Sequence, residues 1–166
     1  MNIKPTLFAA ALVAAGLSVS TAQATAGTVT ATMPVTITIQ NACDVSSVAP
    51  TTMDFGTQGP LTSAVNQTST ISVTCTSGAA YNIGLDGGSS GNINGRTMVN
   101  GSNSVAYQLY SDANHTTVWG NTIGTDTVAS TGTGSSQAFT VYGRVPAQAT
   151  PPAGTYNDTV NVTVTY

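Results

Sequence analysis

The sequence predicts an all-β protein built as a sandwich of two sheets. Strong helix formers are sparse, whereas threonine, serine, asparagine and glycine recur along the whole chain. Short runs of alternating apolar and polar residues are separated by turn residues at intervals of roughly eight to twelve positions. Because β-branched residues in alternating runs favour extended chain, this pattern indicates many short strands, which is typical of a β-sandwich.

The first two dozen residues have the pattern of a signal peptide. Lys4 provides a basic start, residues 7–19 are apolar, and Ala22-Gln23-Ala24 is a suitable cleavage site. We expect residues 1–24 to be removed, with cleavage after Ala26 as the alternative. The apolar run is too short to span a membrane, so the mature protein is expected to be exported.

The mature chain opens with an alternating segment, residues 28–40. Its odd-numbered positions are apolar and its even-numbered positions are polar, apart from Pro34. In an extended chain the odd positions share one face, formed by Val29, Ala31, Met33, Val35, Ile37 and Ile39. Pro34 has no N–H, so a hydrogen-bond ladder through it loses one bond. An apolar strand at this place must pack into its own domain or into a neighbour.

The remaining strands are predicted at regular intervals along the chain. Their ranges are 43–48, 53–55, 68–75, 81–85, 96–99, 105–110, 118–119, 138–145 and 156–166. Residues 58–66, 86–95, 125–134 and 146–154 are predicted loops, and Asn100-Gly101 is a predicted tight turn. In the last strand one face is apolar except for Asp158, which we interpret as a rim position in contact with water.

Two cysteines, Cys43 and Cys75, remain in the exported chain, which favours a disulfide. Closing that loop of about 33 residues would stabilise the fold by roughly 3–4 kcal/mol. A metal site would need more ligands, and His115 is the one histidine in the sequence. We predict no metal and no cofactor.

The small number of cationic residues argues against nucleic acid as a partner. After signal removal Arg96 and Arg144 are the only cations, and they stand against six aspartates and no glutamate. With so few cations no basic patch can form.

Residue types that carry catalysis occur only in arrangements that favour turns. Ser111, Asp112 and His115 are the residue types of a catalytic triad, but they lie within five positions in a segment typical of a turn. Asp86 alone in the DGGSSGN run offers too few carboxylates for calcium. We predict no catalytic residue, no small-molecule substrate and no enzyme activity.

Several motifs together resemble one family. They are the leader, a cysteine three residues beyond it, and four later stretches: xSVxCxxGxxYxIxLDGG (71–88), AYxLYxDAxxxxxWG (106–120), VYGRVP (141–146) and GxYxDTVxVTVxY (154–166). Their combined spacing resembles the spore coat protein U domain, the subunit type of archaic chaperone–usher pili, over essentially the whole mature chain.

This resemblance implies an incomplete immunoglobulin-like β-sandwich that lacks its final strand and is completed by a donor strand from another subunit or a chaperone. Residues 25–41 would then be the donor-strand extension and 42–166 the pilin domain. It also implies a Cys43–Cys75 disulfide. The implied donor residues are Val29, Ala31, Met33, Val35, Ile37 and Ile39, and the strand bordering the groove carries Tyr156, Val160, Val162, Val164 and Tyr166.

The function implied is that of a structural pilus subunit which polymerises by donor-strand exchange, for surface attachment and biofilm formation. Its partners would be other copies of itself, a periplasmic chaperone and an outer-membrane usher, and its location a cell-surface pilus. One alternative is an exported carbohydrate-binding β-sandwich, with Trp119 and one of Tyr81, Tyr107, Tyr110 or Tyr142 as its platform. Another is a spore or cyst coat component.

Overall fold

Alternating β-branched residues fold into antiparallel sheets, as the sequence predicts. The computed structural model describes residues 26–45 and 49–166, and the predicted signal peptide, residues 1–24, lies outside these ranges. The chain separates into a first unit that ends at Ile37 and a second unit, Thr38–Tyr166. In the first unit, residues 26–37 have no regular secondary structure and are exposed.

The second unit contains nine strands and one short 3-10 helix, Gly88–Ser90, within the described residues. The strands are β1 (Cys43–Asp44), β2 (Val65–Cys75), β3 (Ala80–Leu85), β4 (Thr97–Asn100), β5 (Asn103–Ala106), β6 (Gln108–Tyr110), β7 (Val128–Thr131), β8 (Ser136–Val145) and β9 (Val162–Thr165). No helix in the described ranges is long and apolar enough to cross a membrane.

The strands form two open sheets and a hairpin. One sheet has the order β1-β2-β8-β6, the other has the order β7-β3-β9, and β4 pairs with β5. All pairings are antiparallel, and the longest joins β2 to β8. The inward-facing residues of β2 and β3 are buried, as their alternation predicts: Ile71, Val73, Cys75, Tyr81, Ile83 and Leu85. The fold is therefore an incomplete immunoglobulin-like sandwich with open sheet edges.

Several strand boundaries differ from the predicted ones. The predicted strand 105–110 is divided between β5, which pairs with β4, and β6, which pairs with β8. Between them, the backbone N–H of Tyr107 extends the β4–β5 hairpin by donating to Arg96 O at 3.0 Å. β7 lies inside the predicted loop 125–134. Its Val-Ala-Ser-Thr sequence is a weak strand pattern, but pairing with β3 stabilises it.

Two other predicted strands are wrong, and one is only partly described. Residues 53–55 belong to no strand, because they are held by side-chain packing rather than by a ladder. Residues 118–119 contribute only an isolated bridge, between Val118 and Tyr110. Of the predicted strand 43–48, only β1 is a strand, and residues 46–48 lie outside the description.

The predicted closing strand 156–166 is shorter than expected. Only β9 pairs with β3, and Asn157 forms an isolated bridge with Val99 of β4. The ladder stops because β3 ends at Leu85, where the chain turns into the glycine-rich stretch. The segment from Tyr156 to β9 therefore follows the sheet without being part of it.

The predicted disulfide between Cys43 and Cys75 is confirmed. The two residues lie opposite each other in β1 and β2, and their Sγ atoms are 2.05 Å apart. The metal alternative for these cysteines is therefore wrong. Because the bond closes a sequence separation of 32 residues, it stabilises the fold by roughly 3–4 kcal/mol. It also fixes the short edge strand β1 to the long central strand β2.

Candidate strand-binding cleft

An apolar cleft lies beside β9 in the second unit. Its inner part has a volume of about 440 Å³ and its outer part about 750 Å³. Both parts are lined by Met53, Phe55, Met98 and Tyr156, so they form one continuous cleft. The floor of the inner part consists of core residues: Ile71, Leu85, Leu109 and Val141. A ligand in this cleft would therefore contact the hydrophobic core directly.

One wall of the cleft is β9 and the residues before it, and this wall has an uncovered hydrogen-bonding edge. β9 is the last strand of its sheet among the described residues. Asn161 O accepts a hydrogen bond from the Asp86 N–H at 3.2 Å, and Asn157 exchanges two backbone hydrogen bonds with Val99. Successive strand residues direct their N–H and C=O groups to opposite edges. The odd-numbered residues thus face β3 and β4, and the open edge is formed by Val160, Val162 and Val164.

The side chains of these three valines are partly buried against the core. Each of them therefore has an apolar side chain against the core and an outward-facing backbone N–H and C=O, and Val160 and Val162 line the cleft itself. Of the other residues predicted on this wall, Tyr156 is partly buried and donates its hydroxyl to Pro152 O at 2.8 Å. Tyr166 is 61% exposed.

The opposite wall, residues 51–55, is held mainly by side chains. The Thr51 N–H donates to Thr70 O of β2 at 3.0 Å, and beyond it Met53 and Phe55 pack onto β8. They sit over Gly143, where an added Cβ would lie 2.6 Å from the sulfur of Met53 and 3.0 Å from the ring of Phe55. Glycine at position 143 therefore makes room for this wall.

Asp158 lies on the apolar side of the closing segment and is half-buried, so the rim interpretation describes only part of its environment. Its Oδ2 accepts the Tyr107 hydroxyl at 2.6 Å, and its Oδ1 accepts the Ser89 N–H at 2.7 Å. Burial alone would raise the pKa of Asp158, but the hydrogen bonds from Ser89, Tyr107 and Thr159 outweigh it and lower that pKa. Burial and the bond to Asp158 raise the pKa of Tyr107, which keeps its hydroxyl a donor.

We expect acid to weaken the fold through Asp158 and Asp86, whose pKa values are both lowered in the folded protein. Such groups stabilise the fold above their ordinary pKa of 3.8 and lose that contribution as the pH falls through the lower folded value. The free energy of unfolding, measured by denaturant titration, should therefore fall between about pH 5 and pH 2. Asp158→Asn should flatten this dependence, and Tyr107→Phe should flatten it less. An Asp158→Asn profile parallel to that of the wild type would contradict the assignment.

A buried arginine fixes the end of β3 behind the cleft. Arg96 is fully buried, and its guanidinium donates to Leu85 O at 3.0 Å, Asp86 O at 2.8 Å and Trp119 O at 2.8 Å. It also donates to the side-chain oxygen of Gln108 at 2.6 Å. Burial lowers the pKa of Arg96, an effect that Tyr107 and the nearby aspartates oppose. Sequence reasoning missed this residue because hydrophobic patterning assigns arginine to the surface.

The residues predicted as a donor strand are all exposed where the structure describes them. Val29 is 96% exposed and Ile37 84% exposed in the first unit, and Ile39 is 69% exposed in the second. The remaining members of the set, Ala31, Met33 and Val35, are exposed as well. Their contact with another copy stays a prediction.

The aromatic residues considered for a sugar platform are mostly in the core. Trp119 and Tyr81 are each 1% exposed, and the indole N–H of Trp119 donates to Ile83 O at 2.8 Å. Tyr107 is also buried. The alternative of a sugar platform around Trp119 is therefore wrong, because its ring fills the core instead of the surface.

The residues considered for a triad serve a local turn, and Asp86, considered for calcium, joins a local turn to the closing segment. Asp112 accepts backbone N–H groups from Asn114, Thr116 and Thr117. His115 packs edge-on against the rings of Tyr110 and Tyr142. The Asp86 carboxylate accepts the N–H groups of Gly88 and Asn161. Within the described ranges, no group of three histidine, cysteine or acidic side chains could hold a metal ion.

Comparison with known proteins agrees with this architecture. The model of the Spore Coat Protein U domain matches residues 29–163. Protein U of Myxococcus xanthus is 37% identical over 183 residues, an alignment that covers the whole of both chains. The protein aligns with a chain of the crystal structure of the CsuC–CsuE chaperone–tip adhesion subunit pre-assembly complex from archaic chaperone–usher Csu pili of Acinetobacter baumannii, with a TM-score of 0.53 and 24% identity.

That alignment covers 78% of this chain, which spans 40% of the Csu chain. At this identity the likeness concerns the fold, whereas the family match rests on the sequence. The chain belongs to the Spore Coat Protein U domain family and has the fold of a chaperone–usher pilus subunit.

Proposed function

We propose that this protein is a structural subunit of an archaic chaperone–usher pilus and that its N-terminal arm, residues 25–41, completes the sandwich of another copy. The observation that carries the proposal is that one chain has two features that strand addition between copies would need. It has an exposed apolar arm, and it has a cleft beside a strand with a free edge. Strand addition of this kind is an established mode of recognition.

The arm and the cleft agree in length and chemistry. Residues 29–39 in extended form span roughly 35 Å, comparable to the extended length of 156–166. The alternation of the arm would place Met33, Val35, Ile37 and Ile39 on the floor of the cleft. Burying four such side chains contributes roughly 6–12 kcal/mol before the entropy of ordering the arm is subtracted.

Such a joint is head-to-tail, because the arm of one copy meets the cleft of the next. Heterologous contacts of this type generate open fibres when the rotation between copies does not close a ring. An uncovered edge is also an aggregation hazard, so the free subunit needs a protector before assembly. A periplasmic chaperone and an outer-membrane usher would meet that need, and a surface fibre used in attachment and biofilm formation would be the product.

Intermolecular disulfide mapping tests the joint. Because Cys43 and Cys75 are bonded to each other, an engineered Ile37→Cys chain carries one free thiol. We expect it to link to a separate full-length chain carrying Val160→Cys, Val162→Cys or Val164→Cys, since opposite residues in a hydrogen-bonded antiparallel pair are about 5.5 Å apart at Cα. Thr36→Cys, which lies on the other face, is the matched control and should not link.

The same experiment separates the proposal from a self-contained sandwich. A chain that carries both Ile37→Cys and Val162→Cys should link between chains when mixed with itself at high concentration. Exclusive linking within one chain, even in concentrated samples, would overturn the proposal and favour a module that acts alone.

A coat component is the second candidate, and the family match favours it. The matching family is described as a spore coat domain, and the relative from Myxococcus xanthus is named Protein U. The same joint could build a coat lattice instead of a pilus. Synthesis confined to sporulating or encysting cells would favour the coat, and fibres on growing cells would favour the pilus.

A further inference from the structure

Pro34 lies inside the apolar arm, where a missing N–H would interrupt a strand ladder. It occupies an even-numbered position, whereas the apolar residues beside it, Met33 and Val35, are odd-numbered. Which edge of the arm loses a donor therefore depends on which residues face the acceptor strand.

The hydrogen bonds of the closing segment decide this question. Asn161 O accepts a hydrogen bond from the Asp86 N–H, so the odd-numbered residues of the closing segment bond toward the core sheet. The even-numbered residues of β9 and of the segment before it therefore have inward side chains and outward N–H and C=O groups. In an antiparallel pair, residues that lie opposite each other share a face and bond to each other with both groups. The odd-numbered arm residues, whose side chains must enter the core, would then be the ones that bond to β9.

In this arrangement Pro34 turns its missing N–H away from β9. A parallel arm would do the opposite, because opposite residues in a parallel pair do not bond to each other and the even-numbered residues would face β9. Proline at position 34 is thus compatible with a complete antiparallel ladder and incompatible with a complete parallel one.

We propose that Pro34 leaves the arm with only one edge that can form a complete hydrogen-bond ladder. This inference rests on the proposed function and assigns Pro34 as a specificity-determining residue of the same joint. The odd-numbered edge stays whole for antiparallel pairing with β9 of the next copy. The even-numbered edge is interrupted, which disfavours parallel insertion and disfavours pairing between free arms through that edge.

The test is a proline scan of the full-length chain. The measured quantity is the fraction of subunits in polymers, determined by sedimentation and electron microscopy. A second proline at an even position, Thr36→Pro, should leave polymerisation within about twofold of the Thr36→Ala control. A proline at an odd position, Val35→Pro, should reduce it at least about tenfold relative to Val35→Ala, since one ladder bond is lost and a buried acceptor is left unpaired.

Restoring the donor provides the second measurement. Pro34→Thr should polymerise like the wild type, but its free subunits should self-associate more readily through their arms, seen as loss of monodispersity. Equal effects of Thr36→Pro and Val35→Pro in a chain that polymerises normally would overturn the role of Pro34 and leave the proposed function intact. Failure of the wild-type chain to polymerise would overturn the proposed function itself, and this inference with it.

Discussion

Replacing Ile37 with aspartate is expected to abolish fibre assembly while leaving the free subunit as stable as the wild type. Ile37 is 84% exposed in its unit, so a carboxylate there costs little before assembly. In the proposed joint the same position enters an apolar cleft whose floor includes Ile71 and Val141. The carboxylate would have to lose its hydration there without any charged partner.

The expected magnitude is large because two effects add. Loss of the buried isoleucine removes roughly 1.5–3 kcal/mol, and burial of an unpaired carboxylate costs several kcal/mol more. A total near 5 kcal/mol weakens the joint by more than about a thousandfold. The measurement is the concentration of subunit needed for polymer formation, followed by light scattering.

Thr36→Asp is the matched control for this substitution. It adds the same charge one position away, on the face that would point out of the cleft, and it should leave assembly nearly unchanged. If Thr36→Asp and Ile37→Asp impair assembly equally, the effect is charge repulsion between subunits and not insertion of the apolar face.

Local patterns in the sequence were sufficient for the strands that build the core. β2 and β8 alternate cleanly, and each offers one buried face, so period-two patterning finds them. The disulfide followed from two cysteines in a chain that the sequence predicts to be exported. The open position of β9 was anticipated by the family resemblance, which implies that residues 156–166 border a groove.

The features that depend on tertiary contacts were not visible in the sequence. β7 is a strand because β3 lies beside it, and residues 53–55 are not a strand although their composition suggests one. The direction in which β9 turns its free N–H groups depends on a hydrogen bond from Asp86 to Asn161. The burial of Arg96 depends on three carbonyl groups contributed by two separate stretches of the chain, residues 85–86 and Trp119.

Replacing Arg96 with methionine is expected to cost about 3–5 kcal/mol of unfolding free energy. Methionine fills a similar volume, so the loss comes from acceptors and not from a cavity. The oxygens of Leu85, Asp86 and Trp119 would all lose a charged donor in a buried environment. Because domains of this size are stable by only about 5–15 kcal/mol, urea denaturation should show a large decrease in the midpoint.

Two variants separate the hydrogen bonds of Arg96 from its charge. Arg96→Lys keeps the charge but lacks the planar guanidinium and its several N–H donors, so it should recover only part of the stability lost in Arg96→Met. Arg144→Met removes the other cation within the described residues and should change stability by about 0.5 kcal/mol or less. Arg96 fixes the end of β3, where Asp86 bonds to Asn161. Arg96→Met should therefore also loosen the residues that precede β9. Faster hydrogen exchange at residues 158–162 in Arg96→Met, but not in Arg144→Met, would show that this arginine supports the acceptor edge of the cleft; equal exchange in the two variants would restrict its role to the core.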